Sequence, residues 1–193
     1  MKPPLIFIVP LLIAFGATPS APAVVHIITT TPTLADISRN IGGSFVKVQS
    51  IMRGPENIHN IKAKPSHMIK LRKADLFIHG GLDAELWAPL LIRGARRPKL
   101  MPGQPGNVDV SRGIHLRDVP KRGELTRAKG DIHVFGNTHY ALDPLNGIII
   151  ARTITTALRQ ADPGHAGAFE ANFEDFRTRI EALTHQLVAS MKP

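Results

Sequence analysis

The chain has 193 residues, 43% of them apolar and 20% charged, which is enough for one domain with a proper core and excludes wholesale disorder or a polytopic membrane protein. With no cysteine, disulfide frameworks, thiolate zinc fingers, iron–sulfur clusters and cysteine nucleophiles are excluded, and any transition-metal site must use the nine histidines, carboxylates or water. The net charge of +9 gathers in residues 50–130, sixteen Lys/Arg against seven Asp/Glu, without an aromatic–basic pattern, and one Trp and one Tyr offer bases little to stack on, so a basic surface is favoured over nucleic-acid binding.

Residues 1–23 place Lys2 before an apolar stretch from Leu5 to Phe15, then small residues ending Ala21-Pro22-Ala23. That order is expected of a secretory signal peptide, with Val24 opening the exported, extracytoplasmic part. The run is about half the roughly 20 residues a spanning helix needs, so no transmembrane segment is expected after cleavage.

Val24–Thr30 is a β-branched run expected to be a buried strand. Pro32 opens a helix with Leu34, Ile37 and Ile41 on one face, closed by Gly42-Gly43. Phe45–Ile51 alternates as a half-exposed strand does. Pro65-Ser66 starts a second helix, Ala74–His79 reads as a third strand, Ala84–Ile92 as a helix and Lys99–Met101 as a short fourth strand. Strand–helix alternation at this spacing predicts an α/β fold, a small parallel sheet covered by helices. After a long Gly-, Pro- and charge-rich region over 102–138, two helices follow, each announced by Asp-Pro, at Asp143-Pro144 and Asp162-Pro163. The second carries Phe169, Phe173, Phe176, Ile180, Leu183 and Leu187 at alternating steps of four and three, a seam ~26 Å long. Trp87 and Phe169 are expected to anchor the core.

Neither GxGxxG nor a Walker A sequence is present. The candidate chemistry lies in two histidines at strand-to-helix junctions. His59 follows the second strand, and His139 stands four residues before the Asp143 cap. Loops beyond the carboxyl ends of strands line the ligand crevice of an open α/β sheet, and two imidazoles converging there suit Zn²⁺ or Mn²⁺. A loop histidine is as often simply solvated, and on these residues alone the two readings stand level.

Several stretches together resemble one family. Asn57-Ile58-His59-Asn60-Ile61-Lys62-Ala63-Lys64-Pro65-Ser66 is similar to a D-P-H-x-Y-E-P-x-P-S stretch, Lys73–Phe77 to K-A-D-L-V, and Gly81–Trp87 to G-L-x-L-E-x-W. Gly136–Pro144 is similar to N-P-H-x-W-L-D-P, and Ile28–Asp36 to V-T-T-F-x-x-L-A-D. These are stretches of the substrate-binding proteins that serve zinc and manganese ABC transporters. The resemblance implies a periplasmic or extracytoplasmic protein that captures a divalent metal and passes it to a membrane permease, without catalysis. It also implies two α/β lobes joined by a long helix, the first lobe supplying two ligands that map to His59 and His139. Here the expected organisation is a signal peptide over 1–23, a metal-binding lobe over 24–162 and a long linking helix over 163–190, with the second lobe absent. That truncation, the loss of loop-stiffening prolines and the basic Lys62 near the first ligand imply weaker binding than in a full family member.

Asn57-Ile58 stands where the family has Asp-Pro, Lys62-Ala63 where it has Glu-Pro, and Thr138 where it has Pro. His133, six residues before His139, falls where zinc-type members often carry a histidine-rich loop, and is either an auxiliary ligand or an ordinary loop residue. Its presence tilts the expected cargo towards Zn²⁺ over Mn²⁺. His115 is a weaker version of the same idea, and His67 and His79 are expected to be structural. Two alternatives stand beside this reading: a metal-dependent hydrolase using His59, His133 and His139, although HExxH is absent, and a basic secreted interaction module.

Overall fold

In a computed structural model of the chain, residues 24–54, 56–120 and 133–191 are described. The expected signal peptide lies outside them. Four parallel strands form one sheet in the order β2-β1-β3-β4: β1 Val25–Thr29, β2 Val46–Ser50, β3 Leu76–His79 and β4 Asn107–Asp109. The chain moves from β1 to β2 in one direction and from β2 back past β1 to β3 in the other. Right-handed crossovers then place the intervening helices, α1 (Pro32–Gly42) and α2 (Pro65–Arg72), on opposite faces of the sheet. The reversal lies between β1 and β3, where an open sheet gathers a crevice at its carboxyl edge.

Side-chain alternation along the strands feeds two cores. Val25 and Ile27 of β1 and Leu76 and Ile78 of β3 join α1, α4 (Pro144–Ala161) and α5 (Ala166–Ser190). Ile28 and Phe77 face the other way, against Leu71 of α2 and Leu91 and Ile92 of α3 (Ala88–Ala95). Gly94 lets α2 and α3 approach closely, because a Cβ there would run into the Met68 side chain. Phe169 and Phe173 of α5 are 0% and 2% exposed, wedged against α1 and α4, whereas Leu183 and Leu187 on the same stripe stand open to solvent.

Three sequence expectations change. Lys99–Met101 is not a strand: Pro98–Leu100 forms a 3-10 turn, and the fourth strand comes later, around the single buried Val108. The helix expected from Ala84 begins at Ala88, because residues 82–87 wind through turns that start with Leu82 in the left-handed region at φ 55°. Asp143 caps α4 as expected, its Oδ1 accepting from the Leu145 amide at 2.9 Å, but Asp162 does not cap α5. Asp162 bonds the His165 ring at 2.6 Å across a 3-10 turn, and α5 starts only at Ala166.

Candidate metal centre

His59 sits in a 3-10 turn, Ile58–Asn60, beyond the carboxyl end of β2. Two bonds set that turn. The Asn57 side chain accepts from the His59 amide at 2.9 Å, and the Trp87 indole N–H donates to the Ile58 carbonyl at 2.7 Å. His139 is set the same way, its amide donating to the Asn137 side chain at 2.9 Å, just before a 3-10 turn over Tyr140–Leu142. The Tyr140 hydroxyl ties that turn down by donating to the Gly80 carbonyl beyond β3. Burial pushes this hydroxyl above its ordinary range, with the negative charges of Glu85 and Asp109 adding to the effect, so it stays a donor. In both loops an asparagine two residues before the histidine thus fixes the turn through its side chain, with Ile58 and Thr138 at the intervening positions.

The loops bring three histidines together. His59, His133 and His139 each offer a ring nitrogen, and these atoms lie within 4.8 Å of one another. The ring centroids are 5.0 Å apart for His59–His133 and 6.2 Å for each of the other pairs. Four-coordinate zinc with Zn–N of about 2.1 Å needs nitrogens roughly 3.4 Å apart. Ring rotations that close each gap by no more than about 1.5 Å would therefore complete a three-nitrogen site.

His133 is the most constrained of the three. Its Nδ1 bonds Asp83 Oδ1 at 2.8 Å, while Asp83 Oδ2 accepts from the Val134 amide at 2.8 Å. A carboxylate on Nδ1 keeps the proton there and turns the Nε2 lone pair outward. That Nε2 is buried and has no hydrogen-bond partner among the described residues, which is costly for a polar atom unless something accepts its lone pair. The orphaned atom, one of a cluster of three, is the donor set of a soft-to-borderline dication.

Glu85 is 5% exposed and accepts from Thr30 Oγ1 at 2.7 Å and, at 2.8 Å, from the amide of Gly80, the residue whose carbonyl takes the Tyr140 hydroxyl. Burial drives its carboxyl above the ordinary range, outweighing those bonds. Gly81, with φ 71°, lies against Asp109, where any Cβ would collide with that side chain. His115 lines a groove of about 270 Å³ together with Arg117, Asn137 and His139, outside the three-histidine cluster. His79 bonds Asn107 at 3.0 Å, and His67 is part-buried on α2. The acids of α5 stay on its solvated side, Glu170 and Glu174 paired with Arg152. Sequence reasoning missed Asp83, Glu85 and Tyr140 as parts of the site. Only their place within the quoted motif stretches could have drawn attention to them.

The chain is similar to known metal-binding proteins. The family model described as zinc-uptake complex component A, periplasmic, matches residues 27–193. The manganese ABC transporter substrate-binding lipoprotein scaA of Streptococcus gordonii is 27% identical over 194 residues, covering 92% of this chain and 58% of its own. The iron-binding protein YfeA of Yersinia pestis is 26% identical over 157 residues, covering 81% and 46%. Among solved structures, ZnuA superposes with a TM-score of 0.71 at 25% identity, covering 88% of this chain and 61% of that one. The metal-dependent lipoprotein YcdH of Bacillus subtilis gives 0.67 at 20%, covering 84% and 54%, a likeness of fold. The chain spans about half the length of the curated relatives it matches. These relatives are binding components rather than enzymes, which sets the hydrolase alternative aside. The match over residues 27–193, joined to the fold, places this chain in the zinc-uptake component A family, the substrate-binding proteins of metal ABC transporters.

Proposed function

We propose that the chain captures a divalent metal ion outside the cytoplasm for an ABC permease, with Zn²⁺ preferred to Mn²⁺ and with His59, His133 and His139 as its ligands. The observation that carries the reading is the meeting of three imidazoles from separate loops, one of them oriented by Asp83. Three nitrogens with no carboxylate among them favour zinc, since manganese prefers harder oxygen donors. Water completes the shell, and the exposure of His139 leaves a path for ligand exchange. In this reading residues 1–23 direct export, 24–162 form the metal-binding lobe and 163–190 the closing segment, a 3-10 turn and then α5. Among the described residues no helix is long and apolar enough to cross a membrane.

Titration calorimetry with Zn²⁺ and Mn²⁺ on the parent and on His59→Ala, His133→Ala and His139→Ala tests the assignment. Each variant is expected to lose at least tenfold in zinc affinity, with zinc bound more tightly than manganese by the parent. Parental affinity in both His59→Ala and His139→Ala would overturn the site, and tighter manganese binding would overturn the choice of cargo.

A further inference from the structure

Charge is distributed unequally between the two faces of the sheet. On the side of α4 and α5, Arg152, Arg159, Arg177 and Arg179 all pair with Glu170, Glu174 or Asp175. Residues 46–100, which build β2, α2, β3 and α3, carry eleven Lys/Arg against four Asp/Glu. Two of those four acids are engaged elsewhere, Asp83 with the His133 ring and Glu85 with Thr30 and the Gly80 amide. A third, Asp75, is neutralised by Lys99 at 2.5 Å and Arg97 at 3.7 Å. Glu56 alone remains to balance the surface.

The cations are arranged around a feature. Lys47, Lys70 and Lys73, together with Gln49 and Ile69, line a groove of about 400 Å³ between the β2 edge and α2, floored by Ile28 and Ala74. Among the described residues none of these three lysines forms a salt bridge with a carboxylate. The local field is also felt by His67 on α2. Burial lowers its pKa first, and Lys64, Lys70 and Arg53 lower it further. The two helices of this side also expose large aliphatic side chains that no core claims: Ile69 of α2 at 54% and Leu90 of α3 at 49%. Cations interleaved with exposed aliphatics, and without exposed aromatics for stacking on bases, match the chemistry of an anionic bilayer surface, with phosphates at the lysines and acyl chains at the leucine and isoleucine.

We propose that the α2–α3 side of the lobe docks on an anionic phospholipid surface, with a headgroup phosphate held in the groove between Lys47, Lys70 and Lys73. The surface is separate from the histidine cluster and does not depend on metal. Docking would confine the protein to two dimensions beside its membrane, where encounter with any membrane-embedded partner is more frequent.

The test is co-sedimentation of the full chain with vesicles of phosphatidylcholine, with or without about one third phosphatidylglycerol, at low and high salt. Each basic side chain at an anionic surface contributes about fivefold in partitioning, so Lys47→Gln/Lys70→Gln/Lys73→Gln is expected to lose on the order of 100-fold on anionic vesicles. Ile69→Ser/Leu90→Ser is expected to lose several-fold. A control that removes the same net charge from the other face, Arg159→Gln/Arg177→Gln/Arg179→Gln, is expected to bind as the parent does. Comparing variants that share residues 1–23 cancels what that segment contributes, and circular dichroism melts confirm that each variant folds. Equal partitioning of the parent onto neutral and anionic vesicles overturns the proposal. So does a control that loses as much as the lysine variant, because net charge alone would then explain the binding. Tighter binding to duplex DNA than to anionic vesicles at the same salt overturns it in favour of nucleic acid.

Discussion

Asp83→Asn is the sharpest perturbation of the proposed site, because it removes one charge and leaves the shape almost unchanged. In the parent, one carboxylate accepts two bonds of 2.8 Å, from the His133 ring and the Val134 amide, across fifty residues of sequence. Asparagine has one acceptor oxygen, so it can serve one of those donors while its NH₂ opposes the other. His133 then loses either its tautomer or the anchor of its loop. Groups of this kind behind a metal ligand are worth about 10–100-fold in affinity, or roughly 1.4–2.8 kcal/mol. Zinc affinity measured by competition with a chromogenic chelator should fall by that factor, while the urea midpoint of the metal-free protein moves little. His133→Ala should cost at least as much, and the double variant should bind as His133→Ala alone does, since Asp83 acts only through His133. Two results would refute the reasoning: undiminished affinity in Asp83→Asn, or losses that simply add in the double variant.

Other consequences can be measured with the same protein. Glu85→Gln keeps an acceptor for Thr30 and Gly80 but cannot ionise. Because the folded state raises the Glu85 pKa, its stabilising contribution is full below the ordinary carboxylate value of 4.5 and is lost as pH rises through the folded value. Urea unfolding of Glu85→Gln across this range should therefore show a flatter upper limb than the parent. Phe169→Ala opens a cavity at a fully buried position between α1, α4 and α5 and should cost about 3–5 kcal/mol by urea denaturation, whereas Leu187→Ala on the exposed part of the same stripe should cost under ~1 kcal/mol. Zinc at about 100 times its dissociation constant should stabilise the fold by about 2.7 kcal/mol, seen as a higher melting temperature that a chelator reverses.

What the sequence revealed, and what it hid, follows from the range of the interactions. The long helices were legible because α4 and α5 carry a sustained apolar period and Asp143 caps through its near neighbour Leu145. The loops of His59 and His139 were legible because each histidine stands shortly before a helix that a proline opens, at Pro65 and Pro144. β4 was hidden because it is three residues long with one buried apolar side chain, so no alternation announces it, while Pro98 drew the more strand-like stretch nearby into a turn. The start of α5 was misplaced because Asp162 has a competing partner in His165, and that contest is decided by side-chain geometry rather than residue type. The pairing of His133 with Asp83, and the burial of Glu85 under Gly80, depend on which loops the sheet brings side by side. No window of sequence contains that information.

The chain's sole tryptophan has its indole N–H on the carbonyl of Ile58, the residue next to His59. That contact makes Trp87 a built-in optical reporter. If the proposed site fills and draws the His59 loop inward, this bond should stretch or reorient, and with no second indole to dilute the change, emission colour and intensity should follow. Loading and release could be timed in a stopped-flow mixer on unlabelled protein.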